Sequence, residues 1–482
     1  MESWRLCPPN RSIVSGYNAV MLRGILKVSS ILLSLSAAVL APVVASGYSE
    51  LRSASTSSRV SEAAGHYRAA AQRIPWRPDL YELAGHAYYH AKDYANADAA
   101  YRKALGRNAL SAEGWVAWGD VNYLNNDAER AAEIWERSLG RENPSDHLYS
   151  RLAQIYQEKK DYPKAEDFLQ RFVSKHPEDA SAHYRLGLLL TLSDPNAALP
   201  ELITASRLDP QFDPAFQTLR TALNLASLND SASERFVLVG RGLGLVEEWE
   251  LARAAFEGAV RADEGSAEAW AWLGEAVQHD GLPEGGSEEL DKALELNPNS
   301  STVRGLRGLR FQRLGDDRQA LAEFQAAAAL EPDNPARYVS VGEAYTQFGD
   351  LIRALEAYRT ATALAPEAAA YWRSLSIFCA QNNVHLDDVG IPAAQRAVNL
   401  AKDDPVSLDV LGWSYMVDAR YYEAERILLR ALELDPQSAP AHLHLGMLYL
   451  QIEEPARAYD HLARARDLGS AEAEDLLKRY FP

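Results

Sequence analysis

Apolar and polar positions along this chain follow a helical spacing that repeats every 34 residues. Each repeat holds two amphipathic segments of about a dozen residues, with apolar side chains three and four positions apart. The pattern predicts a pair of antiparallel helices in every repeat. A proline often ends the second helix, because proline lacks the backbone N–H that the helix needs. These prolines are Pro75, Pro177, Pro210, Pro298, Pro332, Pro366 and Pro436.

A small residue marks the middle of each first helix, and a second one, such as Ala97, follows twelve positions later. Glycine inside a helix costs about 1 kcal/mol relative to alanine, so its recurrence needs a packing reason. Close approach of the two helices at the mark supplies that reason. The marks are Gly85, Gly119, Ala153, Gly187, Gly240, Gly274, Gly308, Gly342, Ser376, Gly412 and Gly446.

Bulky side chains four residues before the mark and three residues after it complete the pattern, as at Tyr81 and Tyr88. These spacings resemble the tetratricopeptide repeat family. The resemblance implies an all-α fold, a right-handed superhelical solenoid of antiparallel helix pairs, and it covers nearly all of the chain after residue 60. About eleven units are expected, beginning near Pro78, Ala112, Asp146, Ala180, Ser233, Ala267, Ser301, Pro335, Ala369, Pro405 and Ala439.

The ends and interruptions of the array give its predicted organisation. A half unit from Ala63 to Pro75 supplies a second helix without a first, and a helix from Ser470 to Phe481 is expected to cap the array. The interval from Gly187 to Gly240 contains 19 extra residues, which predict an additional helix and a kink. The expected segments are a cytoplasmic stretch 1–27, a membrane anchor or signal core 28–48, a Ser-rich tether 49–60, a first array 61–212, the extra helix 213–232, a second array 233–469 and the cap 470–482.

The N-terminal segment has a composition of its own. No charged residue occurs from Val28 to Ser49, and four basic residues precede this stretch: Arg5, Arg11, Arg23 and Lys27. Such a segment is long enough to cross a bilayer, and the positive charges predict a cytoplasmic N-terminus with the repeats outside. A secretory signal cleaved near Ala45 is the alternative, and Met21 is an alternative start to Met1.

Composition limits the partners. The chain has 67 acidic and 49 basic side chains, a formal net charge of −18, which disfavours binding to nucleic acid or lying on anionic lipid. Cys7 and Cys379 lie on opposite sides of the predicted anchor, so no disulfide between them is expected.

Two motifs that suggest chemistry are weak. Gly240, Gly242 and Gly244 resemble part of a dinucleotide-binding loop, but Leu245 stands where the third glycine of that fingerprint belongs. His86 and His90 lie four residues apart on one helix, although no third metal ligand accompanies them. We therefore predict no catalytic residue, no metal and no cofactor.

The family resemblance assigns the groove to the first helices, so residues at unit positions 2, 5, 9, 12 and 13 are expected to face a ligand. In the first two units these positions are polar and aromatic, with Tyr89, Asp120 and Tyr123 among them. In the last two units they form an apolar strip, which suits peptide binding if it faces solvent. A covering cap or neighbouring turn is the alternative. The strip consists of Trp413, Met416, Val417, Leu443, Met447 and Leu450.

Binding of a terminal carboxylate, as in co-chaperones of this family, is not expected because Glu82, Asp120, Glu275 and Glu343 occupy groove positions. The sequence predicts a non-enzymatic scaffold that binds a protein or peptide outside the cytoplasmic membrane. Its resemblance to anchored repeat proteins of bacterial envelopes implies a role in envelope assembly or export. An enzyme subunit with a site on the groove and a purely structural spacer are the alternatives.

Overall fold

A computed structural model describes residues 38–141, 143–279 and 285–481. Within these ranges the regular structure is entirely helical, which confirms the all-α prediction. Two compact units divide the chain, Met1–Phe216 and Gln217–Pro482. The described residues contain eleven helix pairs in the predicted register, four in unit 1 and seven in unit 2.

Unit 1 begins with α1, which covers residues 38–56. The helices that follow are α2 (Val60–Arg73), α3 (Asp79–His90), α4 (Tyr94–Gly106), α5 (Ala112–Leu124), α6 (Ala128–Leu139), α7 (His147–Glu158), α8 (Tyr162–Lys175), α9 (Ala180–Ser193) and α10 (Pro195–Leu208). A short 3₁₀ turn, Pro210–Phe212, leads into α11 (Asp213–Ser227), within which the division between the units falls. The α11 helix lies in the interval where the glycine spacing is longest.

Unit 2 continues with helices of the same kind, and each first helix packs mainly against the second helix that follows it. They are α12 (Ala232–Leu245), α13 (Trp249–Ala262), α14 (Ala267–His279), α15 (Ser287–Leu296), α16 (Ser301–Arg313), α17 (Asp317–Leu330), α18 (Pro335–Phe348), α19 (Leu351–Leu364), α20 (Ala369–Asn382), α21 (Ile391–Leu400), α22 (Pro405–Val417), α23 (Tyr421–Leu434), α24 (Ala439–Gln451), α25 (Pro455–Asp467) and α26 (Ala471–Tyr480).

The first helix of the half unit, which the sequence analysis did not find, is α1. Its Glu50 carboxylate accepts hydrogen bonds from His66 Nδ1 and Arg73 Nη1, both at 2.6 Å, and Gly47 lies against Ile74 of the α2 terminus. The predicted tether 49–60 is therefore wrong for residues 49–56. Serine and threonine there bond within the helix, since Ser55 Oγ donates to the Arg52 carbonyl at 2.8 Å, and Ala54 is buried.

The first 37 residues lie outside the described part of the chain. They include the predicted cytoplasmic stretch 1–27 and the first ten residues of the predicted span 28–48. Among the described residues, no helix combines the length and the apolar character needed to cross a membrane.

The small residues at the marks allow close contact between the two helices of a pair. A Cβ atom on Gly85 would lie 2.6 Å from the Tyr101 ring, and one on Gly412 would lie 2.5 Å from Leu428 Cγ. The same contact joins the other marks to a large side chain of the following helix: Gly119 to Trp135, Gly187 to Leu202, Gly240 to Phe256, Gly274 to Leu290, Gly308 to Phe324, Gly342 to Tyr358 and Gly446 to Leu462. The small residues thus set how closely the axes approach.

The serine mark uses a different contact. Ser376 is fully buried, and its hydroxyl hydrogen-bonds Ser414 Oγ at 2.9 Å, which links α20 to α22. After α20 the two-residue insertion appears as left-handed backbone at Asn383 and His385, followed by a single π turn, Leu386–Gly390. The insertion is accommodated in the turn, so the pairing of α20 with α21 persists.

The glycine contacts predict opposite effects for two helical glycines. We expect Gly119→Ala to reduce the free energy of unfolding by about 1–3 kcal/mol, because the new methyl group would displace the Trp135 indole. Gly65→Ala, within α2, has no heavy atom within 4 Å of the added carbon and should stabilise by about 0.5–1 kcal/mol. Urea unfolding followed by circular dichroism measures both. Equal changes of the same sign would contradict the packing role of Gly119.

Candidate functional site

The first helices of unit 1 enclose a cavity with a volume of about 240 Å³. We call it the Tyr89–Tyr123 pocket. Four of its lining residues lie at groove positions predicted from the sequence, Tyr89, Asp120, Tyr123 and Leu124, and α3 and α5 bring them together. The complete lining is Tyr89, Asp120, Tyr123, Leu124, Trp135, Arg151, Gln154 and Ile155.

The bottom of the pocket is apolar and rigidly held. Trp135 and Ile155 are almost completely buried, and the Trp135 indole N–H donates to the Val116 carbonyl at 3.0 Å. The Tyr123 ring lies 6.4 Å from the Trp135 ring, at an interplanar angle of 36°. Tyr89 and Tyr123 are half-buried, so both present part of their rings to the cavity. An apolar or aromatic side chain would find complementary surface there.

A carboxylate–guanidinium pair forms one wall. Arg151 Nε donates to Asp120 Oδ1 at 2.9 Å, and Arg151 Nη2 donates to Asp120 Oδ2 at 3.3 Å. Burial raises the pKa of Asp120, and the neighbouring Arg151 opposes that shift. Because the bidentate contact uses Nε and one Nη2 hydrogen, the other guanidinium hydrogens stay available to a ligand. The pair fixes Arg151 while leaving donors exposed.

A second polar connection joins α5 to α7. The Tyr123 hydroxyl donates to Glu158 Oε1 at 2.5 Å, and Gln154 Nε2 donates both to the Tyr123 hydroxyl at 3.2 Å and to Glu158 Oε1 at 3.1 Å. The hydrogen bond to Glu158 raises the pKa of Tyr123. The Tyr123 ring is therefore held in one orientation before any partner binds.

The two histidines on α3 are engaged elsewhere. His86 Nε2 donates to Glu82 Oε1 at 3.4 Å, and His86 Nδ1 accepts from the Tyr101 hydroxyl at 3.0 Å. The His90 ring lies 5.5 Å from the Tyr89 ring. Both nitrogens of His86 have protein partners, so the pair does not offer two free ligands to one metal. The described residues contain no group of three or more potential metal ligands.

The apolar strip of unit 2 is largely covered, which is the alternative that the sequence analysis left open beside a strip that faces solvent. Met416 is 8% exposed and Leu443 is 9% exposed. Trp413, Val417, Met447 and Leu450 are half-buried and pack against the hydrophobic core of this unit. Leu476 of α26 and Phe481, which follows it, pack against the same buried cluster as Met447 and Leu450. The terminal cap therefore shares a core with part of the apolar strip.

A polar contact that the sequence analysis missed lies beside Trp413. His444 Nδ1 donates to Asp409 Oδ1 at 2.8 Å, and Asp409 is almost completely buried. The Trp413 and His444 rings are stacked, with centroids 5.0 Å apart and planes 5° from parallel. Asp409 and His444 lie 35 residues apart, close to the repeat length. That spacing in the sequence could have indicated that the two side chains meet on neighbouring first helices.

Carboxylates at groove positions commonly pair with a side chain on the first helix of the following repeat. Asp120 pairs with Arg151, Glu275 accepts from Arg313 Nη1 at 3.0 Å, and Asp409 pairs with His444. Glu82 is also satisfied, by His86 and by the Ser111 backbone N–H at 2.7 Å. Three of the four carboxylates expected to repel an anionic ligand are thus paired. For Glu343, burial raises the pKa.

Comparison with protein families identifies the repeats. The tetratricopeptide repeat family model matches residues 82–147, 246–301, 306–369 and 410–473, and a second tetratricopeptide repeat model matches residues 149–179. Together these segments cover more than half of the chain.

Two curated relatives show the extent of the similarity. Superkiller complex protein 3 of Homo sapiens is 26% identical over 232 residues, which are 45% of this chain and 13% of the human protein. The peroxisomal targeting signal receptor of Candida albicans is 25% identical over 367 residues, covering 74% of this chain and 60% of the receptor. The chain thus spans less than two thirds of the length of either relative.

Solved structures with similar folds include yeast Tom70 and the APC/C hetero-tetramer Cut9–Hcn1. Tom70 is 16% identical, covers 92% of this chain and 94% of its own, and has a TM-score of 0.42. Cut9–Hcn1 is 16% identical, covers 88% and 93%, and has a TM-score of 0.43.

The burial of the apolar strip generates a stability prediction. Met416→Ala should reduce the free energy of unfolding by about 2–5 kcal/mol, since the truncation leaves a cavity in the core of unit 2. Val406→Ala on the same helix is the matched control, because Val406 is 54% exposed and its truncation should change stability by less than about 0.5 kcal/mol. Chemical unfolding measures both. A Met416→Ala protein as stable as the wild type would show that Met416 is not part of the core and that the apolar strip faces solvent.

Proposed function

Because the chain belongs to the tetratricopeptide repeat family, we propose that it is a non-enzymatic scaffold that binds a peptide segment of a protein partner on the first helices of unit 1. The Tyr89–Tyr123 pocket carries this proposal. It combines an apolar floor, two aromatic walls and fixed polar groups, which is the composition of an anchor-residue site.

The partner contributes an apolar or aromatic side chain to the space between the two tyrosines. Trp135 and Ile155 supply the apolar floor for it. The unused hydrogens of the Arg151 guanidinium donate to a carbonyl oxygen of the bound segment. Since Asp120 and Glu158 already orient Arg151 and Tyr123, little side-chain freedom is lost on binding.

The relatives support a role in binding proteins. The fungal relative is named as a receptor for a targeting signal, and Superkiller complex protein 3 is named as part of a complex. Binding a peptide or joining an assembly is the activity that these names share, and we extend it to this chain.

We also propose that the repeats function outside the cytoplasmic membrane, in envelope assembly or export. The basic residues before the uncharged stretch support this orientation. The start of α1 supports it as well, because Val39, Leu40 and Val43 are exposed apolar side chains. Cleavage near Ala45 would leave Gly47 and Glu50 in their contacts with α2.

The pocket is tested with peptides that are selected from a random displayed library for binding to the full chain. We expect the selected peptides to share one apolar or aromatic anchor, and Tyr123→Ala to weaken their binding at least tenfold, as fluorescence anisotropy would measure. Tyr422→Ala, which truncates a tyrosine that is 78% exposed in unit 2, is the control and should bind like the wild type. Equal affinities of Tyr123→Ala and wild type would refute the pocket as the anchor site.

Topology is tested with a reporter that is active only outside the cytoplasm, fused after Ser58. Activity is expected, because the basic residues precede the apolar stretch. An inactive reporter, with activity from a cytoplasmic reporter at the same position, would reverse the orientation. Edman sequencing of the mature protein then separates the alternatives, since a chain that begins at Ser46 has lost its anchor.

A further inference from the structure

Unit 1 carries a periodic set of cations that stack on aromatic rings. Arg107 lies 5.7 Å from the Tyr81 ring centroid, Arg141 lies 5.0 Å from Trp115, and Lys175 lies 5.5 Å from Tyr149. The three cations are 34 residues apart, at or next to the ends of α4, α6 and α8. Most later repeats carry leucine at the same register, as at Leu208, Leu296, Leu330, Leu364 and Leu434, and the repeat marked by Gly240 carries Ala262. Since leucine serves the repeat elsewhere, helix packing does not require a cation here.

Two of these cations, Arg107 and Arg141, have a second cation over the same ring, Lys103 over Tyr81 and Arg137 over Trp115. We call the four side chains Lys103, Arg107, Arg137 and Arg141 the basic edge. All four are exposed, and none forms an ion pair with a carboxylate in the part of the chain that the structure describes. Their neighbours differ, because Arg102 and Arg130 both contact Asp98. Cations without a carboxylate partner among the described residues add positive charge to this surface, although the chain as a whole has a net charge of −18.

A cavity of about 520 Å³ adjoins the basic edge. Its lining residues include Arg141, Asn108, Asn143 and Ser138, and no acidic residue among the described ones lines it. The side chains of these four residues are donors or, in the amides and the hydroxyl, both donors and acceptors. The cavity therefore suits a ligand that accepts hydrogen bonds and carries negative charge.

One residue that lines this cavity, Trp115, has an unsatisfied buried donor. Trp115 is 2% exposed, and its indole N–H is buried with no hydrogen-bond partner among the described residues. Buried donors are nearly always paired in folded proteins. Because that N–H is buried, the cations without a described carboxylate partner and the donor side chains that line the cavity are the two observations that point to an anionic ligand.

We propose that the basic edge and its cavity bind an acidic segment of a protein partner, through aspartate and glutamate carboxylates. Arginine binds a carboxylate in bidentate fashion, and Arg137 and Arg141 both lie over the Trp115 ring, which limits their motion. A short acidic segment fits this surface better than a long polyanion, because the negative field of the whole chain opposes a polyanion beyond the edge. This site shares no residue with the Tyr89–Tyr123 pocket.

The experiment uses the full chain and a labelled dodecapeptide of aspartate and glutamate, with its asparagine and glutamine counterpart as the neutral probe. We expect the acidic peptide to bind, the neutral peptide to bind at least tenfold more weakly, and added salt to reduce the affinity of the acidic one. The variant Arg137→Gln/Arg141→Gln should lose at least tenfold in affinity. Arg102→Gln/Arg130→Gln removes the same charge from side chains already paired with Asp98 and should stay within twofold of wild type.

Several outcomes would overturn the proposal. Equal loss of affinity in the two double variants would show a general effect of net charge. Equal binding of the neutral peptide would remove the role of the carboxylates, and tighter binding of a single-stranded RNA or of phosphatidylserine vesicles would assign the edge to another partner. Should Arg137→Gln/Arg141→Gln fail to fold by circular dichroism, Lys103→Gln/Arg107→Gln on the preceding pair tests the same surface. Tyr123→Ala should not change binding of the acidic peptide, which separates this site from the pocket.

Discussion

Close approach between the two helices of each pair is the constraint on which the rest of this structure depends. At the mark, a glycine such as Gly119 leaves no side chain between the axes, and a large residue of the second helix, such as Trp135, fills the space. The contact recurs in both units with tyrosine, phenylalanine or leucine as the large partner. Because stability in a repeat array is approximately a sum of local and nearest-neighbour terms, one repeated contact of this kind determines the architecture of each unit.

The repeated packing also decides which groove side chains are available. Consecutive first helices lie side by side, so a polar residue on one meets a polar residue one repeat later. Asp120 with Arg151 and Asp409 with His444 are such bridges, and each buried carboxylate is compensated by its neighbour. Charged residues at groove positions are thus partly structural. Ligand-binding capacity remains where a bridge leaves donors and aromatic faces uncovered, as it does around Tyr89 and Tyr123.

Charge is distributed unevenly over the repeats. The first three pairs have cations at the ends of their second helices, where most later pairs have leucine, and these cations lie on aromatic rings. An arginine on an aromatic face keeps its charge while its mobility is reduced. Unit 1 therefore combines two different surfaces, an aromatic pocket on the first helices and a basic edge at the ends of the second helices.

The sequence by itself determined the helix pairs, their register, the packing glycines and the grouping of Tyr89, Asp120 and Tyr123, because these follow from contacts within one repeat or between adjacent repeats at a fixed spacing. The tertiary structure alone decided which of those positions are open. The sequence left open whether Met416 and Leu443 face solvent, and the packing of unit 2 buries both. The sequence analysis also missed α1. The contacts of Glu50 with His66 and Arg73, which hold α1 to α2, do not follow the 34-residue spacing by which the repeats were found. A periodic sequence pattern reveals the contacts that recur in every repeat. Burial at the end of the array and pairing between particular side chains depend on neighbours that occur only once, so the pattern does not reveal them.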